Sequence, residues 1–129
     1  MGILNAHIGA LPRYRGRSVM EWTIVCGDST GVTVFFIDPG IDTGRRIVFF
    51  QPVSLIKQSS IGDAKRYLFA QDVELYKRAV DHIADGRPFA VNNLAEGARF
   101  FEMSDLFRQV VDKALAAQHA SSKVAASSA

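Results

Sequence analysis

Asn5 and His7 stand two residues apart in an apolar stretch that reads as a β-strand from Ile3 to Ile8. Side chains on a strand alternate between its faces, so this spacing puts the amide and the imidazole on one face. Both lie toward the C-terminal end of the strand, where open α/β sheets form their ligand crevices. Side by side, an amide and an imidazole can both donate to an oxygen that gains negative charge in a transition state. The same spacing also describes a core histidine satisfied by a neighbour, the commoner arrangement. Asp42 follows His7 by 35 residues, in the loop Asp38-Pro39-Gly40-Ile41-Asp42-Thr43-Gly44. Glycines there permit a tight turn and a close approach of backbone to ligand. A carboxylate delivered to His7 can fix the imidazole tautomer, stabilise the protonated ring or take a proton through water. Both Asp42 and Asp38 equally fit turn aspartates that bond their own backbone, and residue type alone gives Asp38 no role.

Other reactive side chains carry less. Arg13, Arg15 and Arg17 flank Tyr14 in a short basic loop. One arginine there can hold a carboxylate or phosphate, while a solvated loop accounts for the others. His82 and His119 read as surface residues. Cys26 occupies an apolar-patterned position and reads as core. As the lone cysteine it leaves no internal disulfide and no cysteine-built zinc site, and it fits a reducing compartment. No phosphate-binding glycine loop, dinucleotide fingerprint or zinc-protease helix is present.

The elements that must position these groups form one small domain. The chain has 129 residues, 48% hydrophobic and 22% charged, with a net charge of +2. That length supports one well-buried core. The charge is too balanced for a protein that binds by neutralising phosphates, so nucleic acid is not an expected partner. No apolar run approaches the roughly 20 residues of a membrane span, and no signal peptide or myristoylation pattern is visible. A cytoplasmic protein is expected.

After the first strand, Pro12 interrupts pairing. Ser18 and Glu21 form a capping-box pattern ahead of a helix from Val19 to Cys26, and Gly27 is placed to end it. Val32-Thr33-Val34-Phe35-Phe36-Ile37 reads as a strand buried on both faces, and Ile47 to Val53 as a third strand. A long helix is predicted from Gly62 to Asp85 on its apolar stripe. A last helix runs from the Ser104 cap to Gln118, with Leu106, Phe107, Val110, Val111, Ala114 and Leu115 on one face. The small, polar residues 119–129 read as a flexible tail. The first strand starts with no element before it, so one of its edges is expected to seek a neighbour.

Taken in order, Asn5-Ala6-His7, Leu11-Pro12-Arg13-Tyr14-Arg15-Gly16, Gly31-Val32-Thr33 and Asp38-Pro39-Gly40-Ile41-Asp42-Thr43-Gly44 resemble the signature segments of the folate-dependent formyltransferases. That family comprises methionyl-tRNA, glycinamide-ribonucleotide and sugar-nucleotide formyltransferases and a formyltetrahydrofolate deformylase. The resemblance covers about residues 1–55. It implies a small mixed β-sheet flanked by helices, the C-terminal part of the catalytic domain, over residues 1–118. It implies that Asn5 and His7 stabilise the oxyanion of a tetrahedral intermediate, and that Asp42 orients or charges His7 and helps move the amine's proton. Asp38, Gly40, Ile41, Thr43 and Gly44 would lie against the pterin of 10-formyltetrahydrofolate. The expected acceptor is a small sugar- or nucleotide-linked amine. Methionyl-tRNA is disfavoured because no RNA-binding domain follows. Gly9 departs from the family, many of whose members carry serine there. The family's N-terminal Rossmann-like part is also absent ahead of the first strand. This leaves two other readings: a non-catalytic or partner-dependent fragment that binds a separate N-terminal half or a second copy through the first strand, and a deformylase that uses water as nucleophile.

Overall fold

The computed structural model describes residues 2–40, 42–92 and 96–128. Its elements in chain order are β1 (Leu4–His7), β2 (Tyr14–Gly16), α1 (Val19–Cys26), β3 (Gly31–Phe36), β4 (Arg46–Pro52), α2 (Ile61–Phe69), α3 (Asp72–Ala84), β5 (Ala90–Val91), β6 (Ala98–Phe100) and α4 (Asp105–Ser127). The expected α/β class is the one observed. Four strands form an antiparallel sheet in the order β1-β3-β4-β5, and β2 pairs with β6 in a separate parallel ribbon.

The β-branched and aromatic run of β3 makes it the strand on which the domain is built. Five of its six residues are buried. Val32 and Val34 point into the main core with Met20, Val48, Leu68, Leu75, Ala79, Val111 and Leu115 from the helices and β4. Phe35 belongs to a smaller cluster with Leu11 and Ile47. The two faces of one strand therefore serve different layers, as strand alternation requires. β1 pairs with β3 in the register Asn5↔Phe35 and His7↔Thr33. Asn5 and His7 thus lie over the Thr33–Phe35 face, while Leu4 and Ala6 pack toward the main core.

Several local expectations are corrected. Ser18 does not cap α1. Its backbone is left-handed (φ 51°), and its side chain makes no cap bond. The Ser18 hydroxyl instead accepts the Met103 N–H at 3.0 Å, which ties α1 to the approach of α4. Glu21, the other half of the expected capping box, is fully buried, with its carboxylate 2.6 Å from Lys65 Nζ of α2. Gly27 does end α1 as expected, with a left-handed backbone and its N–H directed at the Ile24 and Thr23 carbonyls.

The single helix expected from Gly62 to Asp85 is two. Gln71 N–H turns to the Leu68 carbonyl at 3.1 Å, and the Gln71 side chain takes the Tyr67 carbonyl at 3.0 Å. An unbroken helix would have given that carbonyl to the Gln71 backbone. The last helix continues to Ser127 rather than stopping at Gln118. Residues 119–127, read as tail, are thus helical, as alanine-rich sequence favours. Its buried face is narrower than expected: Val111 and Leu115 are in the core, while Leu106, Phe107 and Val110 are exposed. Cys26 is also exposed rather than core.

Candidate active site

His7 ends β1 with its side chain only 8% exposed, yet its surroundings are polar. Nε2 lies 2.8 Å from the carbonyl oxygen of Tyr14, and Nδ1 lies 3.6 Å from Asp42 Oδ2. The structure therefore brings the imidazole and the carboxylate together across 35 residues of chain. Asn5 shares this face of β1. Its Oδ1 accepts the Ala6 N–H at 3.0 Å, which leaves the Nδ2 amide as the group able to donate elsewhere.

Each partner is delivered by a constrained loop. Behind His7, the buried Thr33 hydroxyl donates to the Gly9 carbonyl at 2.5 Å and accepts the Leu11 N–H at 3.2 Å. Strand β3 thereby holds the turn that follows β1. The Tyr14 ring is buried, stacks on Phe100 at 5.1 Å between centroids, and donates its hydroxyl to Asp28. Burial first, and then the bond to Asp28, raise the Tyr14 phenol well above its ordinary value of 10.0. Parallel pairing with β6 anchors the same loop: Ala98 N–H reaches the Arg13 carbonyl at 3.2 Å and Arg17 N–H the Phe100 carbonyl at 3.1 Å.

On the other side, Asp38 builds the loop that carries Asp42. Its carboxylate accepts the Thr43 hydroxyl at 2.6 Å and the Gly40 N–H at 2.9 Å. The Thr43 bond is the main cause that holds the Asp38 carboxyl below its ordinary value. Gly44 is left-handed (φ 61°), and a Cβ there would meet Leu11 Cβ at 2.6 Å, so the loop is pressed directly on the Leu11-Pro12 turn. Asp42 is itself left-handed, with φ 45°, a conformation aspartate tolerates better than most residues. Of the five positions expected to face a cofactor, Asp38, Gly40, Thr43 and Gly44 form this loop, and Ile41 lies outside the described residues.

The three arginines are spent on the protein. Arg13 pairs with Asp28 at 3.1 Å, Arg17 with Glu102 at 3.3 Å, and Arg15 donates to the Gly97 carbonyl at 3.4 Å. A cavity of about 620 Å³ between the Gly27–Thr30 turn and Pro52–Leu55 shares no residue with Asn5, His7 or Asp42. Among the described residues no group of three or more His, Cys, Asp or Glu is arranged to hold a metal ion. Tyr14 and Thr33 are the site residues that spacing did not single out. The Tyr14 contribution comes from a backbone carbonyl, which has no residue-type signature, and Thr33 reads as one more β-former in an apolar run.

Comparison with known proteins decides the family. The family described as formyl transferase matches residues 1–80. This chain is a member of the folate-dependent formyltransferase family. It is 34% identical over 102 residues to human mitochondrial 10-formyltetrahydrofolate dehydrogenase, a match covering 77% of this chain and 11% of that protein. It is 36% identical over 87 residues to methionyl-tRNA formyltransferase of Flavobacterium psychrophilum, covering 67% of this chain and 27% of that one. The formyltransferase PseJ from Anoxybacillus kamchatkensis, solved with UDP-4,6-dideoxy-4-formamido-L-AltNAc and tetrahydrofolate, has the same fold with TM-score 0.63 at 24% identity over 79% of this chain and 53% of its own. A 4-N formyltransferase from Francisella tularensis matches with TM-score 0.61 at 24% identity over 89% of this chain and 52% of its own. The chain thus spans about half of these solved structures and a smaller share of the curated relatives.

Proposed function

We propose that this protein contributes the catalytic half of a formyl-transfer site, passing the formyl group of 10-formyltetrahydrofolate to the amine of a sugar- or nucleotide-linked acceptor. The observation that carries this reading is the convergence of His7 Nδ1 and Asp42 Oδ2 to 3.6 Å beneath a strand that also presents Asn5. In the reaction the amine nitrogen attacks the formyl carbon, and the carbonyl oxygen gains negative charge. The free Asn5 Nδ2 amide donates to that oxygen, and His7 adds the positive charge it acquires on taking the amine's proton. The new C–N bond then persists as the bond to the folate nitrogen breaks. The proton lost by the amine moves to the His7–Asp42 pair, and the departing folate nitrogen takes up a proton. The loop from Asp38 to Gly44 borders the pterin. Asp38, Thr43 and the Gly44–Leu11 contact set the shape of its described residues before any ligand arrives.

The acceptor class is supported by solved relatives such as PseJ, whose bound product is a formamido sugar nucleotide. No helix among the described residues is long and apolar enough to cross a membrane, in keeping with a cytoplasmic site of action. β1 is an outer strand of its sheet with one edge unpaired among the described residues. A strand from a separate N-terminal half or a second copy would cover that edge and complete the cleft.

The test is formyl transfer by the purified chain, alone and with an added N-terminal half, using 10-formyltetrahydrofolate and a panel of amino-sugar nucleotides. Transfer abolished by His7→Ala is expected. Donor turnover to formate without any acceptor would make the protein a deformylase. Donor binding with no turnover in either assembly would make it a non-catalytic fragment.

A further inference from the structure

Resting on the catalytic reading of His7, we propose that Tyr14 is a positioning residue whose carbonyl commits the ring proton of His7 to Nε2, leaving Nδ1 and the Asp42 carboxylate to receive the N–H groups of the acceptor amine. A backbone carbonyl can only accept a hydrogen bond, so its 2.8 Å contact with Nε2 requires a hydrogen on that nitrogen. In the neutral ring Nδ1 then carries a lone pair. It faces Asp42 Oδ2 at 3.6 Å, beyond the 2.7–3.2 Å range typical of a direct N–H···O bond. Two acceptors lie side by side at that distance, and a donor with more than one N–H can bridge them from one side. A primary amine meets that requirement. When it attacks the formyl carbon it gives one proton to Nδ1, and the imidazolium so formed pairs with Asp42.

The carbonyl can do this only if it cannot turn away, and the side chain of its own residue prevents that. The Tyr14 ring is 3% exposed, stacked on Phe100 and hydrogen-bonded through its hydroxyl to Asp28, which Arg13 in turn holds at 3.1 Å. Tyr14 N–H reaches back to the Ala10 carbonyl at 2.9 Å, so the peptide on its other side is fixed as well. The Asp28–Tyr14 contact, remote from the reacting atoms, thus sets which His7 nitrogen does the work. This choice of tautomer by the bond on the opposite ring nitrogen is a general property of histidine.

The experiment is long-range ¹H–¹⁵N correlation on the full chain labelled in histidine, at mildly alkaline pH, for the wild type, Tyr14→Phe and Asp28→Asn. The wild type is expected to show the Nε2–H pattern for His7. Tyr14→Phe keeps the stacked ring but frees the loop, so an averaged pattern and a roughly tenfold lower kcat with little change in donor KM are expected. Asp28→Asn gives up the charge and the Arg13 pair that hold the phenol, so a change in the same direction as Tyr14→Phe, but smaller, is expected. An Nδ1–H pattern in the wild type would overturn the proposal, as would a Tyr14→Phe variant that melts earlier but keeps both tautomer and kcat. A wild type with the Nε2–H pattern but no formyl transfer would instead refute the proposed function and leave the tautomer assignment standing.

Discussion

Replacing Thr33 by valine separates shape from hydrogen bonding at the position that links β3 to the turn after His7. The two side chains have nearly the same outline, and Thr33 is fully buried opposite His7 in the sheet register. Its hydroxyl serves two buried backbone groups, the Gly9 carbonyl at 2.5 Å and the Leu11 N–H at 3.2 Å. Each backbone group left unpaired costs about 1–3 kcal/mol. Against this, exchanging the hydroxyl for a methyl returns about 0.8 kcal/mol of apolar burial. With about 2 kcal/mol for each of the two groups, the net loss is about 3 kcal/mol. For a chain of this size that lowers the melting temperature by roughly 9–12 °C. Urea unfolding followed by tryptophan fluorescence, with Trp22 as the single indole, gives the free energy directly, and an unchanged m-value shows that the folded state is equally compact. Thr33→Ser is the control: it keeps the hydroxyl, loses one buried methyl and should cost only about 1 kcal/mol. If Thr33→Val stays within about 0.5 kcal/mol of the wild type, or Thr33→Ser is as harmful, the hydroxyl does not hold the turn and the reasoning fails.

The remaining predictions concern charge and fit around the same loops. Asp42→Asn keeps a residue that tolerates the left-handed backbone but removes the charge 3.6 Å from the ring. Coulomb energies of about 1 kcal/mol in water and about 4–5 kcal/mol at a protein-surface dielectric bracket the effect, so kcat/KM should fall by about 10- to 1000-fold with melting unchanged. A Cβ at Gly9 would lie 3.2 Å from both His7 Nε2 and Val19 Cγ2; Gly9→Ala should therefore displace the ring and lower kcat more than it lowers stability. Lys65→Met leaves the fully buried Glu21 carboxylate without its cation and should cost about 3 kcal/mol in denaturant unfolding. The Tyr14 phenol is raised above 10.0, mainly by burial. Stability owed to its neutral form is therefore complete below pH 10.0 and lost as pH rises toward the folded value. Tyr14→Phe should flatten that alkaline decline in a melting-temperature profile.

The legible parts of the fold are those where local pattern and tertiary packing agree. β3 follows from its unbroken β-branched and aromatic run, and α1 ends where Gly27 supplies a left-handed residue. Where a side chain had two possible partners, the distant one won. Ser18 and Glu21 match a capping box, but Met103 and Lys65, from far along the chain, claim them. The split between α2 and α3 depends on one glutamine replacing a backbone bond with a side-chain bond, which periodicity does not register. The expected apolar face of α4 is wider than the buried one because only Val111 and Leu115 meet the core. At the candidate site, strand alternation puts Asn5 and His7 on one face, while the family resemblance, rather than residue type, marks Asp42 as their partner. The partner of Nε2 is a main-chain oxygen, and its placement depends on a phenol, an aspartate and an arginine that individually read as loop residues.

The candidate site and the core share one register here. Val32 and Val34 fill the main core, while Thr33 and Phe35, between and beside them, underlie His7 and Asn5. Sliding β1 by one residue would move His7 into the core and Ala6 to the site face, so the apolar demand of the helices is also what aims the imidazole. That control is strong on the β3 side, where the Thr33 hydroxyl adds two bonds to the ladder. It is absent on the opposite edge of β1, whose main-chain groups have no strand beside them among the described residues. The strand that carries both Asn5 and His7 is therefore fixed from one side only. A partner strand on the free edge would limit the motion of these two side chains more than that of Asp42, which is held by its own loop. Its effect should accordingly appear in kcat through the oxyanion and ring geometry, before it appears in the affinity of groups that contact the Asp38–Gly44 loop.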